Sequence, residues 1–144
     1  MEIITNSVED TQEVAQKIAQ EILEHKRPNL VLLEGELGGG KTTFSQGFIK
    51  SFGITQSVTS PTFVIMKPYN TSDNTHTIYH IDLYRLNQEW EVLDLGILDL
   101  IKNPQNILLV EWASKTPKIW EDISHTTISF KVTGTKKRTI NIKD

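Results

Sequence analysis

Apolar positions along the chain follow two spacings, and their alternation predicts the fold. Val14, Ala15, Ile18, Ala19, Ile22 and Leu23 recur at three- and four-residue intervals with Glu, Gln and Lys opposite, the signature of an amphipathic helix. Ser7 is placed to cap it, Asp10 makes an imperfect capping box, and Pro28 closes the segment. Residues 1–5 read as a short strand before it. Residues 30–33 (LVLL) and 107–110 (ILLV) are instead unbroken apolar runs, as in strands buried on both faces. Between these runs lie a glycine-rich turn (35–40), a helix over about 42–51 that Gly53 ends, and a β-rich stretch (61–69) that Pro68 stops. Residues 70–75 (NTSDNT) read as a polar, mobile loop. Residues 77–86 read as a strand as far as Leu83, and 88–101 as an acidic helix broken near Gly96. The second buried strand covers 106–112, and 127–132 with 138–142 make a hairpin turning at 133–137. The order predicts an α/β fold with a largely parallel central sheet, flanking helices and antiparallel edge strands.

Composition narrows the class. The chain has 144 residues, the size of one domain, and is 38% hydrophobic and 23% charged, which is globular rather than disordered. Its net charge of −3 argues against a broad basic face for nucleic acid. It has no cysteine, which excludes disulfides, thiolate metal sites and cysteine nucleophiles. No apolar run approaches the roughly 20 residues of a membrane span. The acidic N-terminus does not resemble a signal peptide. A cytoplasmic protein with no membrane partner is expected.

The chemistry starts at Gly35-Glu36-Leu37-Gly38-Gly39-Gly40-Lys41-Thr42, which fits G-x-x-x-x-G-K-[ST] at every fixed position. Glycines let successive N–H groups turn inward on phosphate oxygens, and the helix that follows adds the positive end of its dipole. Lys41 would reach the β- and γ-phosphates and the Thr42 hydroxyl would ligate magnesium. An accidental match in a chain of this length has odds on the order of 1%. The strand before and the helix after are the context a phosphate-binding loop (Walker A, P-loop) requires, so the fold is expected to be P-loop NTPase-like and to take ATP and Mg2+.

Such a loop needs an acid at the end of a neighbouring strand. Glu111 ends the second buried run, and Asp82 sits between Ile81 and Leu83. Either can be the acid, against the plainer readings of a solvent-facing strand end or an acid paired with Arg85 or His80. Ser60-Pro61-Thr62 is a rigid turn with two hydroxyls that can sense a γ-phosphate, although spacing alone favours an ordinary turn. His80 reads as a structural histidine, and Trp90, Trp112 and Trp120 as packing residues, with Trp112 close to the site. Lys136, Lys137 and Arg138 form a basic triplet that reads as a solvated hairpin tip, with tRNA contact the weaker alternative.

The missing parts matter too. There is no N-K-x-D or D-x-x-G motif, which disfavours a GTPase, and the three arginines are too few for a kinase lid. A partner-completed ATPase, a small-molecule kinase and a non-catalytic nucleotide-gated module stay open. Four ordered motifs then carry a resemblance: GELGGGKTTF (35–44), SPTF (60–63), YHIDLYRL (79–86) and LVEW (109–112). Together they resemble the bacterial TsaE (YjeE) family from the first helix to Trp112, with a vaguer match in the C-terminal hairpin. The family usually has alanine where this chain has Gly39.

The resemblance implies an ATPase required for N6-threonylcarbamoyladenosine (t6A) at position 37 of tRNA, acting with the TsaB and TsaD proteins, which would hold the tRNA. It implies that Gly35, Gly38, Gly39, Gly40, Lys41, Thr42 and Thr43 cradle the nucleotide. It gives Thr42, Asp82 and Glu111 to magnesium, and Lys41, Asp82 and Glu111 to catalysis. It turns Ser60 and Thr62 into a switch-like segment, and places Val8, Thr11 and Gly134 near the adenine.

Overall fold

The computed structural model describes every residue of the chain except Leu37, a variable position of the glycine-rich motif. In order the elements are β1 (Glu2–Thr5), α1 (Val8–Leu23), β2 (Leu30–Gly35), α2 (Lys41–Lys50), β3 (Met66–Asn70), β4 (Thr77–Asp82), α3 (Glu89–Leu93), α4 (Ile97–Lys102), β5 (Asn106–Glu111), α5 (Pro117–Trp120), β6 (Thr126–Val132) and β7 (Arg138–Lys143), with one 3-10 turn at Ala113–Lys115. Among the described residues seven strands form one sheet in the order β1-β7-β6-β2-β5-β4-β3. The central four, β6, β2, β5 and β4, run parallel, and β1, β7 and β3 join antiparallel. No helix among the described residues is long and apolar enough to cross a membrane.

Strand alternation divides each apolar run between two cores. Val31, Leu33, Ile107, Leu109 and Ile78 pack with Ala15, Ile18 and Ile22 of α1 and Phe44 and Phe48 of α2. Leu30, Leu32, Leu108, Val110 and Ile81 pack on the other face with Val92, Ile97 and Trp120. Both faces are covered, which is why β2 and β5 carry continuous apolar runs. The register sets Leu33 beside Glu111 and Glu111 beside Asp82, so β5 and β4 end level while β2 runs two residues further, to Gly35, along β6.

Several expectations are corrected. Ser7 caps α1, its Oγ accepting from Asp10 N at 3.1 Å, but the short Asp10 side chain reaches back to Asn6 N (2.9 Å) rather than to the cap. The helix ends at Leu23, with left-handed backbone at His25 (φ 59°), before Pro28 is reached. The β-rich stretch 61–69 is not one strand. It turns at 62–65, leaving Phe63 80% and Val64 64% exposed, and β3 then runs through Pro68. An edge strand tolerates that proline because an edge has no full ladder to break. The loop read as mobile is a tied turn: Asp73 Oδ1 accepts from Thr71 Oγ1, Thr75 N and Thr75 Oγ1 at 2.7–3.1 Å. Trp90 is not a packing residue, being 63% exposed, whereas Trp120 is buried with its indole N–H on Ala113 O at 2.9 Å.

Candidate functional site

The level ends of β5 and β4 make a shelf beside the longer β2, and the glycine loop rises from the end of β2. Gly35 leaves β2 at φ 144°, and a Cβ there would stand 2.8 Å from the Phe130 carbonyl oxygen. Gly40 N-caps α2 at φ 108° with no side-chain cap, and the first turn holds no acid. The N–H groups of Lys41, Thr42 and Thr43, which a helix start leaves without intrahelical acceptors, therefore meet no competing side-chain anion of their own turn. A Cβ at Gly39 would lie 2.9 Å from Glu36 O, so this curl of the loop suits glycine.

Lys41 folds back into the shelf. It is 5% exposed, donates from Nζ to Gly35 O at 2.7 Å, and holds Nζ 4.1 Å from the centre of the Trp112 ring. Burial pushes its ammonium below the ordinary lysine range, while the Glu111, Asp82 and Glu34 carboxylates pull it back up. Trp112 takes a left-handed conformation (φ 63°) directly after β5 and packs on Tyr84 with ring centres 5.2 Å apart. Thr42 is exposed and Thr43 half-buried.

The two acids are neighbours with different surroundings. Asp82 and Glu111 pair across β4 and β5, each 4% exposed. They lie on the sheet face that carries α2, because alternation sets Glu111 with Leu109 and Asp82 with Ile78. Asp82 has both oxygens engaged, Oδ2 accepting from Thr62 Oγ1 and Oδ1 from Tyr84 N, each at 2.9 Å. Ser60 Oγ lies 2.7 Å from Thr62 Oγ1, so the two-hydroxyl turn ends on Asp82. The same turn carries Ile65 at φ 69°, a conformation that costs a β-branched residue about 1–3 kcal/mol. Glu111 instead takes His80 Nε2 on Oε2 at 2.8 Å, and Oε1 has no hydrogen bond to the described residues.

On the far side of the loop is a cleft of about 380 Å³. Val8 and Thr11 line it, with Thr43, Thr135, Lys136 and Arg138. Val8 is exposed into it, whereas the Thr11 hydroxyl turns inward onto Thr5 Oγ1 at 3.1 Å. Gly134 does not line the cleft. Its carbonyl accepts from Arg138 Nη1 at 3.2 Å, which supports the residue that does. Arg138 and His80 are what sequence reasoning passed over. Arg138 was legible only as part of a basic triplet, yet its Nη2 reaches Gly38 O at 3.4 Å. His80 had no sign beyond sharing a strand face with Asp82.

Magnesium favours hard oxygen donors and commonly keeps one or two carboxylates together with substrate phosphates and water. Thr42, Asp82 and Glu111 offer that set. No three His, Asp or Glu side chains form a metal cage among the described residues.

Comparison with known proteins agrees with this geometry. Residues 5–140 match the model of the family described as threonylcarbamoyl adenosine biosynthesis protein TsaE. The tRNA threonylcarbamoyladenosine biosynthesis protein TsaE of Bacillus subtilis is 50% identical over 88 residues, 61% of this chain and 52% of that protein. The Rickettsia felis protein of the same name is 41% identical over 113 residues, 77% of this chain and 61% of its own length. The chain thus spans little more than half of these two relatives. The Rickettsia typhi TsaE protein is 34% identical over 145 residues, 96% of this chain and 91% of that one. Among solved structures, Bacillus subtilis YdiB superimposes with a TM-score of 0.76 at 31% identity, covering 99% of this chain and 83% of that one. The chain belongs to the TsaE family.

Proposed function

We propose that this chain, as one P-loop ATPase domain over residues 1–144, hydrolyses Mg-ATP in the cytoplasm. Its turnover would serve t6A formation on tRNA together with a TsaB–TsaD transferase. The observation that best supports this is the shelf itself. A buried lysine, two buried carboxylates and an uncapped helix start converge where a β- and γ-phosphate would sit.

The N–H groups from Gly38 to Thr43 would ring the phosphates, and Lys41 would move from Gly35 O to their oxygens. Thr42, Asp82 and Glu111 would hold magnesium, which supplies charge neutralisation at the β- and γ-oxygens when bound. The two acids divide the remaining work. Asp82 has both oxygens committed to Thr62 and Tyr84, so it reads as the holder of the 60–65 turn. Glu111 keeps Oε1 available and is the better candidate to orient a water for in-line attack on the γ-phosphorus, releasing ADP and phosphate. The adenine side would take the cleft beside Val8, with Lys136 and Arg138 adding positive charge near the phosphates.

Loss of the γ-phosphate would be felt by Thr62 and passed to exposed Phe63, where a partner can read it. The 70–75 turn, at the opposite end of the sheet, takes no part. A net charge of −3 leaves the RNA to the partners. The test is Mg-ATP hydrolysis by the purified chain, alone and with TsaB and TsaD. Strong stimulation by the pair is expected, with Glu111→Gln retaining ATP binding while losing turnover. Hydrolysis that ignores the pair would refute the coupling. A wild-type rate in Glu111→Gln would refute the choice of acid.

A further inference from the structure

Among the described residues the Glu111 carboxylate is held by one side chain, and that side chain has no other hydrogen bond. His80 is 1% exposed on β4, two residues before Asp82, and its Nε2 meets Glu111 Oε2 at 2.8 Å. Its other ring nitrogen, Nδ1, is buried without a partner. A buried imidazole ordinarily uses both nitrogens, because a polar atom taken out of water without a partner is destabilising. Here all of the polar capacity that is used goes to a single oxygen of Glu111. A carboxylate oxygen can only accept, so the 2.8 Å contact needs a proton on Nε2, which the ring donates to Oε2 and which restrains the orientation of the carboxylate. Oε1 is then aimed by the ring rather than by its own rotamer. The neighbouring Asp82 does not steady Glu111: its two oxygens accept from Thr62 and Tyr84.

We propose that His80 is a positioning residue that acts through Glu111: it fixes the carboxylate so that Oε1 stands ready for the reacting water. This rests on the reading of Glu111 given above. Support from a residue behind a ligand or base is commonly worth about 10- to 100-fold in activity.

The test uses the full chain with TsaB and TsaD. His80→Phe keeps the ring volume without a donor, and His80→Gln returns an N–H near the place of Nε2. His80→Phe is expected to lower kcat about 10- to 100-fold with KM for ATP changed less than about twofold, and His80→Gln to restore most of the rate. In a Glu111→Gln background His80→Phe should cost less than about twofold more, since the group it acts through is already gone. Independently of turnover, nitrogen NMR of the nucleotide-free chain should find the His80 proton on Nε2 and not on Nδ1 alone, with the Nε2 signal moving in Glu111→Gln. A proton on Nδ1 alone overturns the proposal, also if His80→Phe fails to fold. So does a His80→Phe rate equal to wild type, or a loss of the same size in the Glu111→Gln background. A Glu111→Gln protein that turns over normally overturns the role of Glu111 instead, whereas an inactive Glu111→Gln beside an active His80→Phe removes only His80.

Discussion

At the amino ends of the central strands, left-handed backbone falls on His25 before β2 and Asn74 before β4; at the carboxyl ends it falls on Ile65 and Trp112. Histidine and asparagine enter that region readily, whereas a β-branched or bulky residue does so at a cost. The acids differ in the same way. Asp73 at the amino end is exposed and satisfied by its own turn, and its carboxyl is held down at about 2 by the Thr75 and Thr71 hydrogen bonds. Asp82 and Glu111 at the carboxyl end are buried, and their side-chain partners come from other segments: Thr62 for one, His80 for the other. One end of the sheet closes loops by local chemistry. The other holds charge and strain by long-range packing, as a site prepared for a ligand must.

The sharpest way to break this contrast is to remove the charge at its centre. Lys41→Met should cost about 10³-fold in hydrolysis, in line with losing a principal electrostatic contact, with ATP binding also reduced. A rate within tenfold of wild type would move the site elsewhere. Asp82→Ala is next: it deletes the acceptor that pins Thr62 in the 60–65 turn, together with the one that takes Tyr84 N. Hydrolysis should fall about tenfold or more, and limited chymotrypsin cleavage after Phe63 should quicken; unchanged cleavage would mean that Thr62 is held by something else.

A subtler effect follows from the depressed Lys41. Phosphate binding needs the ammonium, so ATP affinity should be flat near neutrality and weaken as pH rises through the lowered lysine value towards 10.5. In that same window the unfolded chain still holds a proton that the folded chain has released, so the nucleotide-free fold should gain stability. Calorimetric affinity and thermal unfolding, followed from pH 7 upwards, should therefore move in opposite directions. The smallest effect belongs to the other end. Asp73→Ala should leave turnover unchanged, and in the wild-type chain the turn should loosen only as pH falls towards about 2. A loss of turnover in Asp73→Ala would tie the two ends together and dissolve the comparison.

The parallel centre was legible because its physics is local in the sequence: 30–33 and 107–110 are apolar without interruption, and only strands covered on both faces need that. The glycine loop was legible because its residues stand in a fixed short spacing. The 61–69 stretch misled because Thr62, Phe63, Val64 and Ile65 all favour strands, yet tertiary contacts at Asp82 hold Thr62 in a turn and leave Phe63 in solvent. His80 and Arg138 were illegible for a common reason. Their meaning lies in partners 31 and 100 residues away, Glu111 and Gly38, and no periodicity along the chain encodes such a distance.

The strand order has a temporal side. The cleft takes one wall from Val8 and Thr11 and the other from Thr135, Lys136 and Arg138, and β1 finds its only strand neighbour in β7. Synthesis runs from the N-terminus, so an emerging chain holds its glycine loop long before the last strand arrives to pair with the first. Before β7 is made, the glycine loop stands without the second wall of the cleft, so on the proposed reading the grip on the base would be acquired later than the grip on the phosphates.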